Sequence, residues 1–388
     1  MALDFPNSPS NGQQFISGNT VWQWDSAKWI AVGPAQARPS NPNKLLNPFM
    51  EIDQANEGAL RTVGSATYLI DGFKAYYTTS AGGVGTGQRS ASGPTGYPNA
   101  LQINNATAAS SVAAGDYYTL VQLIEADDML DALFGTANAQ PLTLSFWAAC
   151  SISGTYYVAL RNAANTRTYV APFTVSTANT WQLFTLTIPG DTAGSWVNSG
   201  NAPSIGIWWT VACGTSNQTS TLNQWQSAGS LAGTGMVNTF MLTAGVSFVL
   251  GPCKLEVGSA ATPMLRQSFQ QELARCQRYY EKSYAPGVAV GAASISDGNT
   301  LAYWASGSVT AASGGASIPF KATKRSPATI TMYSPTTGAS GRVRDIQTGA
   351  DVTPSVSAGT NSFYWSATQT TGANIVNLQG CWVADARL

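Results

Sequence analysis

Apolar and polar residues alternate along most of this chain, and the alternating runs are short. Between Leu45 and about Thr262 the period of two recurs over Tyr117 to Leu123, Leu142 to Ala148, Tyr156 to Leu160, Trp181 to Ile188, Ile205 to Val211, Val246 to Val249 and Cys253 to Val257. Successive strand residues point to opposite faces, and turn residues separate the runs at intervals that suit an antiparallel sandwich. One jelly-roll domain is therefore expected over residues 43–263. The piece from Glu125 to Gly135 breaks the pattern, and its early acids and closing glycine suit a short helix at one end of the sandwich. Leu265, Phe269, Leu273, Cys276 and Tyr280 then recur at helical spacing and predict a connecting helix in residues 264–285, closed by Pro286 and Gly287. Their steps of four, four, three and four fit a three-stranded coiled coil or a helix lying on a sandwich.

Alternation returns over Leu301 to Trp304, Ala328 to Tyr333, Phe363 to Ala367 and Trp382 to Ala384, with turns at Ser313 to Gly315 and at Thr337-Gly338. These runs predict a smaller β-sandwich over residues 286–388. Ahead of the jelly roll, Trp22 and Trp24 share a strand face, and Asp25 to Lys28 form a hairpin turn that returns through Trp29. Residues 1–42 thus hold a β-hairpin module and a linker containing Pro34, Pro39 and Pro42. So small a unit buries little surface by itself, so it is expected to lean on another chain or domain. The fold class is mainly β: N-terminal β-hairpin module, jelly-roll sandwich, one connecting helix and C-terminal β-sandwich.

Composition narrows the chemistry. Of 388 residues only 10% are charged, against about 25% in ordinary soluble proteins, and Lys plus Arg and Asp plus Glu both count 19. Such a chain lacks the electrostatic footprint that drives nucleic-acid binding and the basic runs that hold an anionic membrane. The longest apolar stretch, Thr239 to Leu250, is too short and interrupted for membrane insertion. There is no histidine, which removes Ser-His-Asp and Cys-His catalysis and imidazole metal ligands. Cys150, Cys213, Cys253, Cys276 and Cys381 never form a CxxC pair and are expected to be buried free thiols. The N-terminus has neither the basic start nor the apolar run of a signal peptide, so synthesis in a cytoplasm is expected. Gly82 to Gly87 lacks the lysine of a phosphate loop and is expected to be a flexible loop.

Sugars are commonly held against aromatic faces, which makes Trp208, Trp209, Trp225, Trp304, Tyr333, Tyr364 and Trp365 candidate ligand-binding residues. In the adjacent pairs Trp208-Trp209 and Tyr364-Trp365 only one ring can face a core. The competing account for each is packing in a core or between subunits. A glycosidase would need two carboxylates flanking the scissile bond. Glu125, Asp127, Asp128 and Asp131 cluster, but at a helix start, where acids are stabilised by the dipole; no enzyme and no catalytic residue is expected. Glu51, Asp53 and Glu256 offer hard oxygen ligands for a structural calcium ion, the one cofactor considered.

Several stretches carry a resemblance. Phe5-Pro-x-x-Pro-x-x-Gly-Gln-x-Phe15 followed by Trp22-x-Trp24-Asp25-x-x-x-Trp29 is similar to N-terminal modules of tailed-bacteriophage tail proteins. Lys44-Leu-Leu-Asn-Pro-Phe-Met-Glu51, Leu69-Ile-Asp-Gly-Phe73, Leu142-Thr-Leu-Ser-Phe-Trp-Ala148, Thr180-Trp-Gln-Leu-Phe184, Asn223-Gln-Trp225 and Lys254-Leu-Glu-Val-Gly-Ser-Ala-Ala-Thr-Pro263 resemble the carbohydrate-binding-module-like jelly roll of phage tail fibres and adhesins. The last stretch runs into Glu272-Leu-Ala-Arg-Cys-Gln-Arg-Tyr-Tyr-Glu-Lys282, and the closing Trp382-Val-Ala-Asp-Ala-Arg-Leu388 looks like the distal domain of the same fibres. The resemblance implies a homotrimeric protein of the virion surface, on tail or capsid, that recognises a host-surface glycan. It also implies docking to other phage proteins through Phe5, Trp22, Trp24 and Trp29. The alternative is a structural component such as a capsid head fibre or tail adaptor, with a polysaccharide depolymerase third.

Overall fold

The alternating runs close into two antiparallel sheets that face one another across a single apolar core. One has six strands in the order Gln182–Ile188, Leu142–Cys150, Val246–Val257, Ala100–Thr107, Val84–Ser90 and Arg61–Val63. The other has seven: Trp225–Gln226, Thr168–Val175, Gly154–Asn162, Pro203–Cys213, Tyr117–Glu125, Phe73–Thr78 and Thr67–Ile70. Leu69, Phe73, Tyr118, Phe146, Phe173, Trp209 and Phe248 fill the space between them. This computed structural model describes residues 5–11, 13–17, 20–34, 42–305, 312–369 and 375–388. The chain is mainly β, and its jelly-roll sandwich follows the sequence pattern.

Two glycine-rich stretches depart from expectation for one reason. Of Gly82 to Gly87 only the first two glycines precede regular structure: Val84–Ser90 is a strand of the six-stranded sheet. A Cβ on Gly85 would lie 2.6 Å from the Tyr77 ring, and one on Gly87 would lie 2.4 Å from Leu69, so side chains of the facing sheet occupy that volume. Ser313 to Gly315 is likewise inside the strand Ala312–Pro319, where a Cβ on Gly315 would meet the Tyr364 hydroxyl at 2.3 Å. These glycines give room for large neighbours, not bending. Gly85→Val is expected to cost about 1–3 kcal/mol through overpacking, read as a lower urea midpoint at unchanged m-value.

The helical expectations shorten. Residues 125–135 hold a 3₁₀ turn, Asp127–Ala132, while Glu125 ends a strand. The connecting helix covers only Phe269–Gln277; Ser268 and Gln271 form a reciprocal capping box at its start. It stops there because Tyr280–Lys282 pairs as a strand with Asp385, Ala384 and Val383. Tyr280, expected on the helix stripe, therefore belongs to a sheet. Nine residues make a poor coiled coil, and the second sandwich begins at this strand.

In that sandwich Ile375–Asp385 is the hub, pairing with Tyr280–Lys282, Thr300–Ala305, Thr329–Tyr333 and Val343–Asp345. Ala312–Pro319, Ser362–Gln369 and Ser355–Ala358 form a separate three-stranded sheet. Met332, Val343, Phe363, Trp365, Val376, Leu378 and Trp382 make its core. The turn at Thr337-Gly338 is present, with Gly338 at φ 74°. Asn43–Ala261 and Arg266–Leu388 fall in one compact unit.

Polar contacts stitch the two cores together. Lys282 pairs with Glu57, Arg325 with Glu125, and Gln54 donates to both the Asp71 carboxylate and the Tyr280 carbonyl. Burial pushes the Asp71 carboxyl up to about 6. The folded state then holds a proton the unfolded chain has released, so the contribution of this carboxyl to stability is fully present below the usual carboxylate pKa of 3.8 and is lost as pH rises through about 6. That fall is expected to be absent in Asp71→Asn, measured by urea titrations between pH 4 and pH 7.

The other compact unit comprises Met1–Pro42 and Thr262–Leu265. Its strands Gln14–Ser17, Thr20–Trp24 and Trp29–Pro34 form a three-stranded antiparallel meander, one strand more than the expected hairpin. The Asp25 carboxylate accepts from the backbone of Ala27 and Lys28, fixing the turn. Phe5 stacks on Trp29 at 5.2 Å and lies edge-on to Phe15 and Trp22, and Trp24 packs on Trp29 at 5.7 Å. The four aromatics named for docking thus also form this unit's own packing. Pro39 lies outside the described residues.

Candidate functional site

Strand register decides which rings leave the core. In the seven-stranded sheet Lys74, Val121 and Trp208 lie in one cross-strand row, and Tyr76, Thr119 and Thr210 in the next. Their chain neighbours Phe73, Ala75, Tyr77, Leu120 and Trp209 are core residues, so this row and the next form the sheet's outer face. The same rule applies to three adjacent aromatic pairs. Tyr76-Tyr77, Tyr117-Tyr118 and Trp208-Trp209 each put one ring inward and leave the other half-buried outside.

The outward rings meet. Tyr76 stacks on Trp208 with centroids 5.4 Å apart at 27°, and Tyr117 lies 6.4 Å from Tyr76. The indole lies over Gly206, where a Cβ would come within 2.8 Å of Trp208 Nε1. Cations interleave with these rings: the Arg161 guanidinium is 4.8 Å from the Trp208 ring centre, and Lys74 Nζ is 5.6 Å from Tyr76 and 5.7 Å from Tyr68. Arg387 continues the line, over Tyr68 at 4.3 Å and Tyr280 at 4.5 Å. Burial pulls the Lys74 ammonium and the Arg161 guanidinium down in pKa and raises the Tyr76 hydroxyl. A cavity of about 230 Å³ opens at the Lys74 end, bordered by Tyr68, Leu123, Glu125, Arg278 and Tyr279. The half-buried rings of Tyr76, Tyr117 and Trp208, with Arg161 and Lys74 among them, place aromatic surface beside cationic side chains, a chemistry that suits a sugar ring.

Three of the four clustered acids near this face are engaged in the fold, while burial raises the carboxyl pKa of the fourth, Asp128, at the cavity wall. Glu125 is held by Arg278 at 2.7 Å and Arg325 at 3.3 Å, Asp131 by Lys44 at 2.7 Å, and Asp127 accepts from the Gly200 amide at 2.6 Å. Glu51, Asp53 and Glu256 do not build the calcium site considered from sequence. Glu51 pairs with Arg266, Asp53 accepts from the amides of Asn56 and Gly58, and Glu256 pairs with Lys254 at 3.2 Å. Among the described residues no group of three or more acids or cysteines is placed to hold a metal ion. All five cysteines are free and buried.

Of the sequence candidates whose side chains are described, Trp208 alone joins the cluster. Trp209 and Trp365 are corrections: both are 0% exposed, Trp209 against Phe73 and Phe146 and Trp365 in the second core, so no ligand can stack on them. Trp225 stands apart, its Nε1 donating to the Pro189 carbonyl and its ring edge-on to Trp196 and Phe134. Tyr333 packs on Tyr284 at 6.2 Å, and Tyr364 is 50% exposed on the second sandwich. Trp304 sits on the strand Thr300–Ala305, its side chain outside the described residues. Tyr76, Tyr117, Lys74 and Arg161 were not singled out from sequence. The adjacency argument applied to Trp208-Trp209 would have found the two tyrosines.

No protein-family model and no curated sequence matches the chain. Solved structures similar to part of it include carbohydrate-binding modules, an arabinofuranosidase and a phage tailspike domain. The family 11 carbohydrate-binding module from Clostridium thermocellum, in complex with a β-1,3-1,4-mixed-linked tetrasaccharide, is 11% identical over 52% of this chain and 96% of that one, with a TM-score of 0.25. The CBM22-1 xylan-binding domain from Paenibacillus barcinonensis is 10% identical over 53% and 99%, with a TM-score of 0.25. The enzymatically active domain of bacteriophage CBA120 tailspike protein 4 is 11% identical over 55% of this chain and 21% of that one, with a TM-score of 0.26.

Proposed function

We propose that this chain is a non-catalytic phage fibre or spike protein that attaches the virion to a host-surface glycan through the outer face of its seven-stranded sheet. The Tyr76–Trp208 stack with Tyr117, edged by Arg161 and Lys74, is the observation that carries the glycan reading. The virion assignment rests on the sequence resemblance, as do the homotrimer and the docking of the N-terminal unit on other phage proteins. Three shallow sites on one trimer would engage a repetitive polysaccharide together, so that weak contacts add to firm adsorption. The test is retention of the purified full chain on host cells. Saturable retention that blocks adsorption of the phage supports the reading, and absence of both from a verified trimer refutes it.

A structural fibre or adaptor is the second reading, favoured by a different observation. Leu301, Tyr303 and Tyr364 are 51%, 58% and 50% exposed on the second sandwich, where they suit contact with a neighbouring virion protein. Under that reading the chain is incorporated into virions but its removal leaves adsorption to isolated host polysaccharide unchanged.

A further inference from the structure

Arg161 differs from most arginines of the compact unit. Arg167, Arg275, Arg278, Arg344 and Arg387 each reach a carboxylate within 3.3 Å. Arg161 makes no ion pair among the described residues; its Nε is buried without a hydrogen-bond partner, and its guanidinium contacts the Trp208 ring. Strand register fixes its origin opposite Gly206, and the chain at Gly229 passes so close that a Cβ there would lie 3.0 Å from Nη2. A partly buried cation without a counter-charge is costly to a fold. Here it lies over an indole, 4.8 Å from the ring centre, beside two outward tyrosines and with no hydrogen bond from its donors among the described residues. Of the other two cations along this face, Lys74 already donates to the Leu388 main-chain oxygen at 3.0 Å and Arg387 pairs with Asp385.

A guanidinium presents paired donors whose spacing and plane match a carboxylate. We propose that the outer face takes a carboxylate-bearing sugar, a uronic or sialic-type acid within a longer glycan, with the carboxylate on Arg161 and the sugar ring against the Tyr76, Trp208 and Tyr117 cluster. The proposal rests on the glycan reading above and names its substrate class. A sulfate ester can also offer two oxygens to a guanidinium, so a sulfated polymer serves as the control for an oxoanion of another shape.

Affinity electrophoresis of the full chain tests it, using gels cast with polygalacturonate, its carboxyl-reduced neutral form, polysialic acid, dextran sulfate, and neutral glucan or xylan. At least one of the two carboxylate polymers is expected to retard the wild-type chain roughly tenfold or more strongly than the carboxyl-reduced and neutral polymers. Arg161→Gln is expected to remove that preference with the thermal midpoint kept, and Arg161→Lys to restore only part of it. The comparison of polymers on the wild-type chain does not depend on any variant folding. Retardation by neutral polymers as strong as by the acidic ones overturns the carboxylate assignment and leaves glycan binding standing. Equal retardation by dextran sulfate, unchanged in Arg161→Gln, shows a general charge effect and overturns it too. Retardation by none of the polymers overturns both the assignment and the glycan reading.

Discussion

Replacing Glu281 by alanine is expected to cost about 3–5 kcal/mol of stability, because it leaves a buried ammonium without its counter-charge. The side chains of Glu281 and Lys324 pair at 0% exposure, and the same carboxylate accepts from the Lys321 amide at 3.1 Å. Lys324 also donates to the Gln277 carbonyl at the end of the connecting helix, and burial already pulls its ammonium down in pKa. The pair therefore holds the strand Tyr280–Lys282 where the helix ends and the second sandwich begins. Lys324→Ala is expected to cost a similar amount. Removing both charges together, as Glu281→Leu with Lys324→Met, should recover most of the loss, since apolar replacement of a buried pair is often neutral. Urea unfolding followed by circular dichroism checks this, and single variants within about 1 kcal/mol of wild type would show that solvent reaches the pair.

The second large effect is on binding. Trp208→Ala removes the ring that Tyr76 stacks on and Arg161 lies against, so one substitution dismantles the centre of the cluster. A central aromatic anchor of this kind is typically worth 2 kcal/mol or more, roughly a thirtyfold loss of affinity. Tyr117→Ala, at the cluster's margin, is expected to lose less. Tyr364→Ala, on the second sandwich, is expected to lose nothing. Titration calorimetry against the retained polysaccharide measures all three, with thermal midpoints to confirm that each variant is folded.

The sequence made the strands legible because alternation survives wherever one face of a strand is buried. The runs Leu142 to Ala148 and Ile205 to Val211 lie within strands of the sandwich. It also showed that Trp208 and Trp209 point to opposite faces, without showing which one meets a core that other strands complete. The glycines misled for a physical reason. Gly85 and Gly315 look like flexible positions until the Tyr77 and Tyr364 side chains that need their space are in place, and those come from other strands. Tyr280 left the helical stripe because pairing with Asp385, far along the chain, outweighed a local period. Arg161 could not be read at all, since a missing ion-pair partner is a property of the assembled fold.

The most direct test of the central claim is hydroxyl-radical footprinting of the full chain with and without a glycan that retains it. Protection of Tyr76, Tyr117 and Trp208, with Tyr303 and Tyr364 oxidised equally in both samples, is the predicted result. Unchanged oxidation of the first three rings with protection of Tyr303 or Tyr364 would place the site on the second sandwich and contradict the account.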